Sequence, residues 1–167
     1  MANSWYFYSH VGYQKPGTFF LMIPLQFPPT ELRLKNEGGK DQVFDIVRRQ
    51  WVRLTPEEWV RQHFIHYLIA VKQYPASLMA VEKELRMGEL SRRFDLLVYD
   101  PGHRPWMLVE CKSMDEPLDE SVWQQAMNYS LAVPATFIII VNGLHCMGWE
   151  NNGEGLKEIG SLPEWRG

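Results

Sequence analysis

The sequence predicts an α/β fold in which a mixed central β-sheet is flanked by helices. Three observations lead there. Two strand-like runs, 93–99 and 106–112, flank the turn-rich Asp100-Pro101-Gly102-His103-Arg104 and read as a hairpin. Asp119 opens a helical pattern through about Ala132. The continuous apolar run 135–141 then ends at Asn142-Gly143, as expected of a strand buried on both faces. Strand, helix and strand in that order make a parallel crossover unit, which lays its helix on one face of the sheet.

The other elements follow in order. Residues 1–21 mix aromatics with Asn, Ser, Gly and Gln without helical or strand periodicity. They are expected to be a disordered or non-native extension ahead of a single domain at 22–167. Pro24, Pro28 and Pro29 make an extended lead, and short strands are expected at 42–46 and 51–54. Thr55-Pro56-Glu57-Glu58 is a helix start, with Thr as N-cap, Pro at the first helical position and Glu58 closing a capping box. That helix should run to about Gln73, with Trp59, Phe64, Leu68 and Val71 as its core-facing stripe. A strand at 77–85 should join 93–99 and 106–112 in an antiparallel meander. A last strand is expected at 144–150, and a short helical turn at 156–159.

Composition narrows the function. With 167 residues, 46% hydrophobic and 22% charged, the chain suits one well-covered core. A formal net charge of −3 argues against coating nucleic acid by bulk charge, yet is compatible with an enzyme that touches a few phosphates. Cys111 and Cys146 form neither a disulfide framework nor a zinc pattern, so reduced thiols and a cytoplasmic location are expected. The start lacks a basic segment and the apolar run 19–25 is too short to cross a bilayer, so no membrane role is expected.

Strand side chains alternate, so Trp106, Leu108, Glu110 and Lys112 share one face. If Tyr99 opposes Trp106, Leu97 opposes Leu108, Asp95 opposes Glu110 and Arg93 opposes Lys112. Opposed residues have Cβ atoms roughly 4.5–5.5 Å apart, where two carboxylates repel unless a proton or cation lies between them. A hard divalent cation is the economical answer. Mg²⁺ takes a few oxygen ligands and keeps waters, and Asp95, Glu110 and the backbone carbonyl of Cys111 could supply them. Lys112 would stand beside a polarised water. The spacing alone also fits a solvated strand end in which these charges and Arg93 satisfy one another.

Asp95 followed by Glu110-Cys111-Lys112 resembles the PD-(D/E)XK nuclease superfamily, with Phe94 where that family carries proline. On the following helix, Gln125-Ala126-Met127-Asn128-Tyr129 is similar to the Gln-x-x-x-Tyr motif found after this core in type I restriction enzyme R proteins. The resemblance is to their N-terminal nuclease domain, and in particular to small stand-alone bacterial relatives. It runs from Pro24-Leu25 to Pro163-Glu164-Trp165 and includes the stretch 51–62.

The resemblance implies a restriction-endonuclease-like fold and a Mg²⁺-dependent DNA endonuclease, with Mn²⁺ as a substitute metal. It makes Asp95 and Glu110 metal ligands, gives Lys112 the attacking water, has Gln125 position Lys112 or substrate, and has Tyr129 support the helix. Glu58, or Glu57, would be the acidic residue that the superfamily places on the helix before the core. Implied partners are DNA and a helicase or other subunit of a restriction or repair complex, with a second copy of the chain as an open alternative. The alternative function is a nuclease-fold module that binds DNA or a protein without cutting. No P-loop signature is present, so ATP-driven translocation is not expected of this chain. Relatives often begin Met-Leu/Ile-Pro-Leu, so Met22 is the expected physiological start, and intact mass would test it.

Other candidates stay structural. His63 and His66 on the first helix lack a third ligand, and His145 and Cys146 follow the turn at Asn142-Gly143. Arg48, Arg49, Arg53, Arg92, Arg93 and Arg104 would line a phosphate-binding face only if they converge. The many tryptophans read as packing residues rather than as a base-stacking platform.

Overall fold

A computed structural model describes residues 20–87 and 90–165, with the side chains of 85–92 left undescribed. The expectation for residues 1–21 therefore lies almost wholly outside the described residues. Phe20 is described, and it packs against the core on one side of the sheet.

The seven-stranded main sheet is mixed. In chain order its strands are β1 (Ile23–Pro24), β5 (Met79–Met87), β6 (Leu90–Tyr99), β7 (Pro105–Cys111), β8 (Phe137–Val141), β9 (His145–Asn151) and β10 (Leu156–Glu158). Their spatial order is β1-β9-β8-β7-β6-β5, and β10 also pairs with β9. A second, three-stranded sheet holds β2 (Leu34–Glu37), β3 (Lys40–Asp45) and β4 (Gln50–Arg53) in that order. Two α-helices are described, α1 (Pro56–Ala70) and α2 (Glu120–Ala132). No described helix is long and apolar enough to cross a membrane.

Most elements sit where their residues predict. Thr55 caps α1, its hydroxyl accepting from the Glu58 amide at 3.1 Å, and Pro56 opens the helix. Asp119 caps α2 through the Ser121 amide at 2.9 Å. β7 and β8 run parallel with α2 as the crossover, and every residue of β8 is buried. Helices cover both faces. On one, Phe64, Ile65 and Leu68 of α1 meet Leu96, Val98 and Val109. On the other, Val122, Ala126 and Tyr129 of α2 meet Leu97, Leu108, Ile138 and Ile140. Each buried Val, Leu, Ile or Phe among these contributes about 1.5–3 kcal/mol by leaving water.

Four expectations need correction. Residues 156–158 are β10, antiparallel to β9, rather than a helical turn. That edge strand packs Ile159 against Gly148, where a Cβ would come within 2.9 Å of the Ile139 and Ile159 side chains. The strand β2 was not expected. The pair Gly38-Gly39, with φ of 60° and 75°, turns it into β3. α1 ends at Ala70, and Val71, meant for the core, is 48% exposed. Finally, Tyr99 pairs with Pro105 rather than Trp106, because the register shifts between Val98 and Tyr99, while Leu97 opposes Leu108 as expected.

Candidate active site

The acidic pair sits where β6 and β7 emerge between the helices. Their ladder reaches only to Leu96–Val109, so the expected pairings of Asp95 with Glu110 and of Arg93 with Lys112 are not part of it. Beyond that point the Asp95 carboxylate substitutes for a strand. Its Oδ2 accepts from the Cys111 amide at 2.7 Å. The Lys112 amide donates to the Val141 carbonyl at 2.8 Å, extending the parallel ladder by one residue and fixing where the lysine departs.

Side-chain alternation breaks at the same place. Phe94 and Leu97 both lie in the α2-side core, although three residues apart in a strand should point oppositely. Opposite Asp95, pairing between β5 and β6 skips Glu82, whose φ is 51°. This irregularity sends Phe94 against Tyr129, with ring centroids 5.4 Å apart, and sends Asp95 to Arg61 on α1.

α1 and the turn after β3 build a charged layer behind the pair. Arg61 Nη2 donates to Asp95 Oδ1 at 2.7 Å, and its Nη1 to Glu58. Arg48 donates to Asp45 Oδ2 at 2.6 Å, to Glu58 Oε1 at 3.0 Å and to Glu82. Gln62 bridges Asp45 Oδ2 and Glu58 Oε1 at 2.9 and 2.8 Å. Asp45 and Gln62 are fully buried, and Glu58 and Arg61 are each 6% exposed. Burial alone would discourage charge on Arg61, but the Asp95 and Glu58 carboxylates outweigh it and hold it protonated. Only half of the expected capping box forms, because the Glu58 carboxylate is spent on Arg48, Arg61 and Gln62.

α2 supplies the opposite wall. Gln125 Nε2 donates to Glu110 Oε1 at 3.0 Å and to the Tyr129 hydroxyl at 2.8 Å. It reaches Glu110, not Lys112. Lys112 Nζ lies 3.5 Å from Glu110 Oε1. Burial raises the Glu110 carboxyl above the ordinary range, and nearby Asp95 raises it further against Lys112 and Gln125. Burial likewise lifts the Tyr129 phenol and the fully buried Cys111 thiol, so neither is an anion near neutral pH.

These groups open onto a cleft of about 610 Å³. Asp95, Glu110, Lys112, Glu58, Arg53 and Arg93 are among its lining residues, so all the predicted site residues except Gln125 and Tyr129 border it. Those two stand behind Glu110. Of the arginines considered, Arg48 is committed to three carboxylates, Arg53 and Arg93 face the cleft, and Arg104 pairs with Asp100 at the hairpin turn. Arg49 is exposed and does not line the cleft, and the Arg92 side chain lies outside the described residues.

Among the described residues no three His, Cys, Asp or Glu side chains group closely enough to hold a metal between them. The donors present are two carboxylates and the Cys111 carbonyl. All are hard oxygen donors, the class that suits a hard divalent cation such as Mg²⁺. Asp95 is already neutralised by Arg61. His63 instead donates from Nδ1 to the Trp59 carbonyl at 2.9 Å, and Cys146 is a buried apolar thiol.

Sequence reasoning missed Asp45, Arg61, Gln62 and Glu82. For the α1 pair a signal existed: Arg61 and Gln62 lie three and four residues after Glu58 on the buried face that also carries Ile65 and Leu68, so that face mixes charge with core residues. No such periodicity marks Asp45 and Glu82.

A mixed sheet presents two carboxylates and a lysine to an open cleft, backed by a Gln and a Tyr one helical turn apart. The family model described as type I restriction enzyme R protein N terminus (HSDR_N) matches residues 56–163, and the chain belongs to that family. The matched span contains Glu58, Arg61, Asp95, Glu110, Lys112, Gln125 and Tyr129. Among solved structures, a fragment described as an HsdR subunit of a type I restriction enzyme from Vibrio vulnificus YJ016 is 17% identical, with a TM-score of 0.38. That similarity covers 52% of this chain and 19% of the other. No curated protein matches.

Proposed function

We propose that residues 22–167 act as one Mg²⁺-dependent deoxyribonuclease domain of the restriction-endonuclease-like PD-(D/E)XK fold, working on DNA in the cytoplasm. The observation that carries this reading is the convergence of Asp95, Glu110 and Lys112 at one mouth of the cleft, with Gln125 holding Glu110.

Mg²⁺, or Mn²⁺ in its place, held by Asp95, Glu110 and the Cys111 carbonyl, would polarise the phosphodiester and acidify a bound water. The protein's own groups do the rest. Lys112, one residue past β7, offers a positive charge beside Glu110 to orient the attacking water and offset charge on the phosphorus oxygens. Gln125 and Tyr129 keep the Glu110 carboxylate in one rotamer. Arg53 and Arg93, on the cleft walls, suit flanking phosphates. Within the family, a helicase-bearing or other restriction or repair subunit, or a second copy of the chain, is the fitting partner.

A second reading draws on Arg61. Its guanidinium takes one Asp95 oxygen and the Cys111 amide takes the other, as in a site that binds without cutting. Cleavage of linear, supercoiled and single-stranded DNA with Mg²⁺, Mn²⁺ or EDTA separates the two. Metal-dependent cleavage that falls at least ~10²-fold in both Lys112→Ala and Asp95→Asn supports the nuclease. Binding that persists in EDTA with no cleavage under any condition supports the module.

A further inference from the structure

The small sheet turns an unusual face to solvent. Val43 and Asp45 of β3 point inward and are fully buried. Alternation and register then place Lys35, Glu37, Lys40, Gln42, Phe44, Trp51 and Arg53 on the outer face. Phe44 and Trp51 are cross-strand partners with ring centroids 5.5 Å apart, and neither belongs to a core cluster. The Arg33 guanidinium lies 4.2 Å from the Phe44 centroid and 5.6 Å from that of Trp51. Lys35 Nζ lies 4.9 Å from the Trp51 centroid. The only carboxylate on this face among the described residues is Glu37, which bonds Lys35 at 2.7 Å.

Two aromatic rings amid Arg33, Lys35, Lys40 and Arg53 form a local positive field on a chain of net charge −3. Cation–π contacts from Arg33 and Lys35 brace these half-buried rings, but they do not require the aromatic pair to lie on the outer face of the sheet. Arg53 belongs both to this face and to the lining of the cleft, so the two surfaces are continuous.

We infer that the outer face of the β2–β3–β4 sheet binds single-stranded nucleic acid. Bases stack on Trp51 and Phe44, phosphates meet Arg33, Lys35 and Lys40, and Arg53 leads the strand toward the cleft. Unpaired bases expose the π-faces that a duplex conceals, which is why this chemistry selects a single strand. The inference extends the nuclease reading but does not depend on cleavage, because binding is measurable in EDTA.

The test is fluorescence anisotropy of the full chain with a labelled oligo(dT) of about a dozen nucleotides and a duplex of equal length, in EDTA. Wild type should bind the single strand. Trp51→Leu should weaken that binding on the order of tenfold, the worth of one stacked base, and leave duplex binding within about twofold. Trp51→Phe should retain most of the affinity. Arg33→Gln combined with Lys35→Gln should weaken oligo(dT) binding and flatten its salt dependence, which decides the matter should Trp51→Leu unfold. The inference is overturned if wild type does not bind oligo(dT), if the folded variants bind it as wild type does, or if Trp51→Leu weakens both substrates equally. Loss of cleavage in Lys112→Ala with this binding pattern intact bears only on the nuclease reading.

Discussion

At the scale of single residues, the candidate site trades stability for charge. Glu110 is held above the ordinary carboxyl range first by burial and then by Asp95. Its folded-state pKa exceeds its unfolded one, so the native state binds the extra proton and ionising Glu110 costs stability as pH rises above 4.5. Glu110→Gln should therefore raise the Tm of the metal-free protein by about a few degrees at pH 7. That gain should vanish below pH 4.5, and Mn²⁺ binding by calorimetry should be lost. A variant no more stable than wild type at pH 7 would contradict the account. Arg61 carries the opposite sign. Removing it takes away the cation that sits between the nearly buried Glu58 and Asp95 on the cleft wall. Arg61→Met should cost about 3 kcal/mol in urea unfolding, the usual penalty for breaking a buried ion pair from one side.

At the scale of elements, legibility followed pattern length. α1, α2, β7 and β8 were readable because capping residues and apolar runs act locally. β2 was not, since Leu34-Lys35-Asn36-Glu37 offers one apolar residue, and only pairing with β3 makes it a strand. β10 was misread because an edge strand is defined by its neighbour β9. The same division applies to the site. Glu110 and Gln125 lie on β7 and α2, whose patterns are local, and Asp95 and Lys112 were legible as residues of the motif although the break in β6 and the end of β7 changed how they sit. The links from Arg48 to Glu82, and from Arg61 to Asp95, each span 34 positions and depend on tertiary packing. α1 also carries a pH dependence of its own. Burial lowers the His63 pKa below 6.5, against its bond to the Trp59 carbonyl, and lowers that of His66 as well. The unfolded chain protonates first, so stability falls as pH drops from 6.5 through the depressed folded values. His63→Phe, whose ring can keep the contact to Trp59 now made at 3.8 Å, should flatten the Tm profile between pH 7 and 5. An unchanged slope would show that His63 does not titrate with folding.

At the scale of the whole molecule, both sheets and both helices meet at the acidic pair. β6 and β7 present it, α2 braces Glu110, α1 neutralises Asp95, and Arg48 ties the small sheet to α1 and β5. A divalent cation entering there would bind the folded chain and not the unfolded one, whose carboxylates are dispersed. Ligand linkage then sets the response: at a concentration of about 100 Kd the folded state gains roughly 2.7 kcal/mol. For a chain of 167 residues that corresponds to a Tm rise of about 5–11 °C. Differential scanning fluorimetry across a Mg²⁺ and Mn²⁺ series should show the rise in wild type and its loss in Asp95→Asn and Glu110→Gln. Lys112→Ala should keep it, since in the proposed mechanism the lysine would serve water and phosphate rather than the metal. Equal shifts in wild type and both carboxylate variants would place the cation elsewhere on the surface. No shift at any metal concentration would make the Arg61–Asp95 pair the permanent state of the site and the molecule a module that binds without cutting.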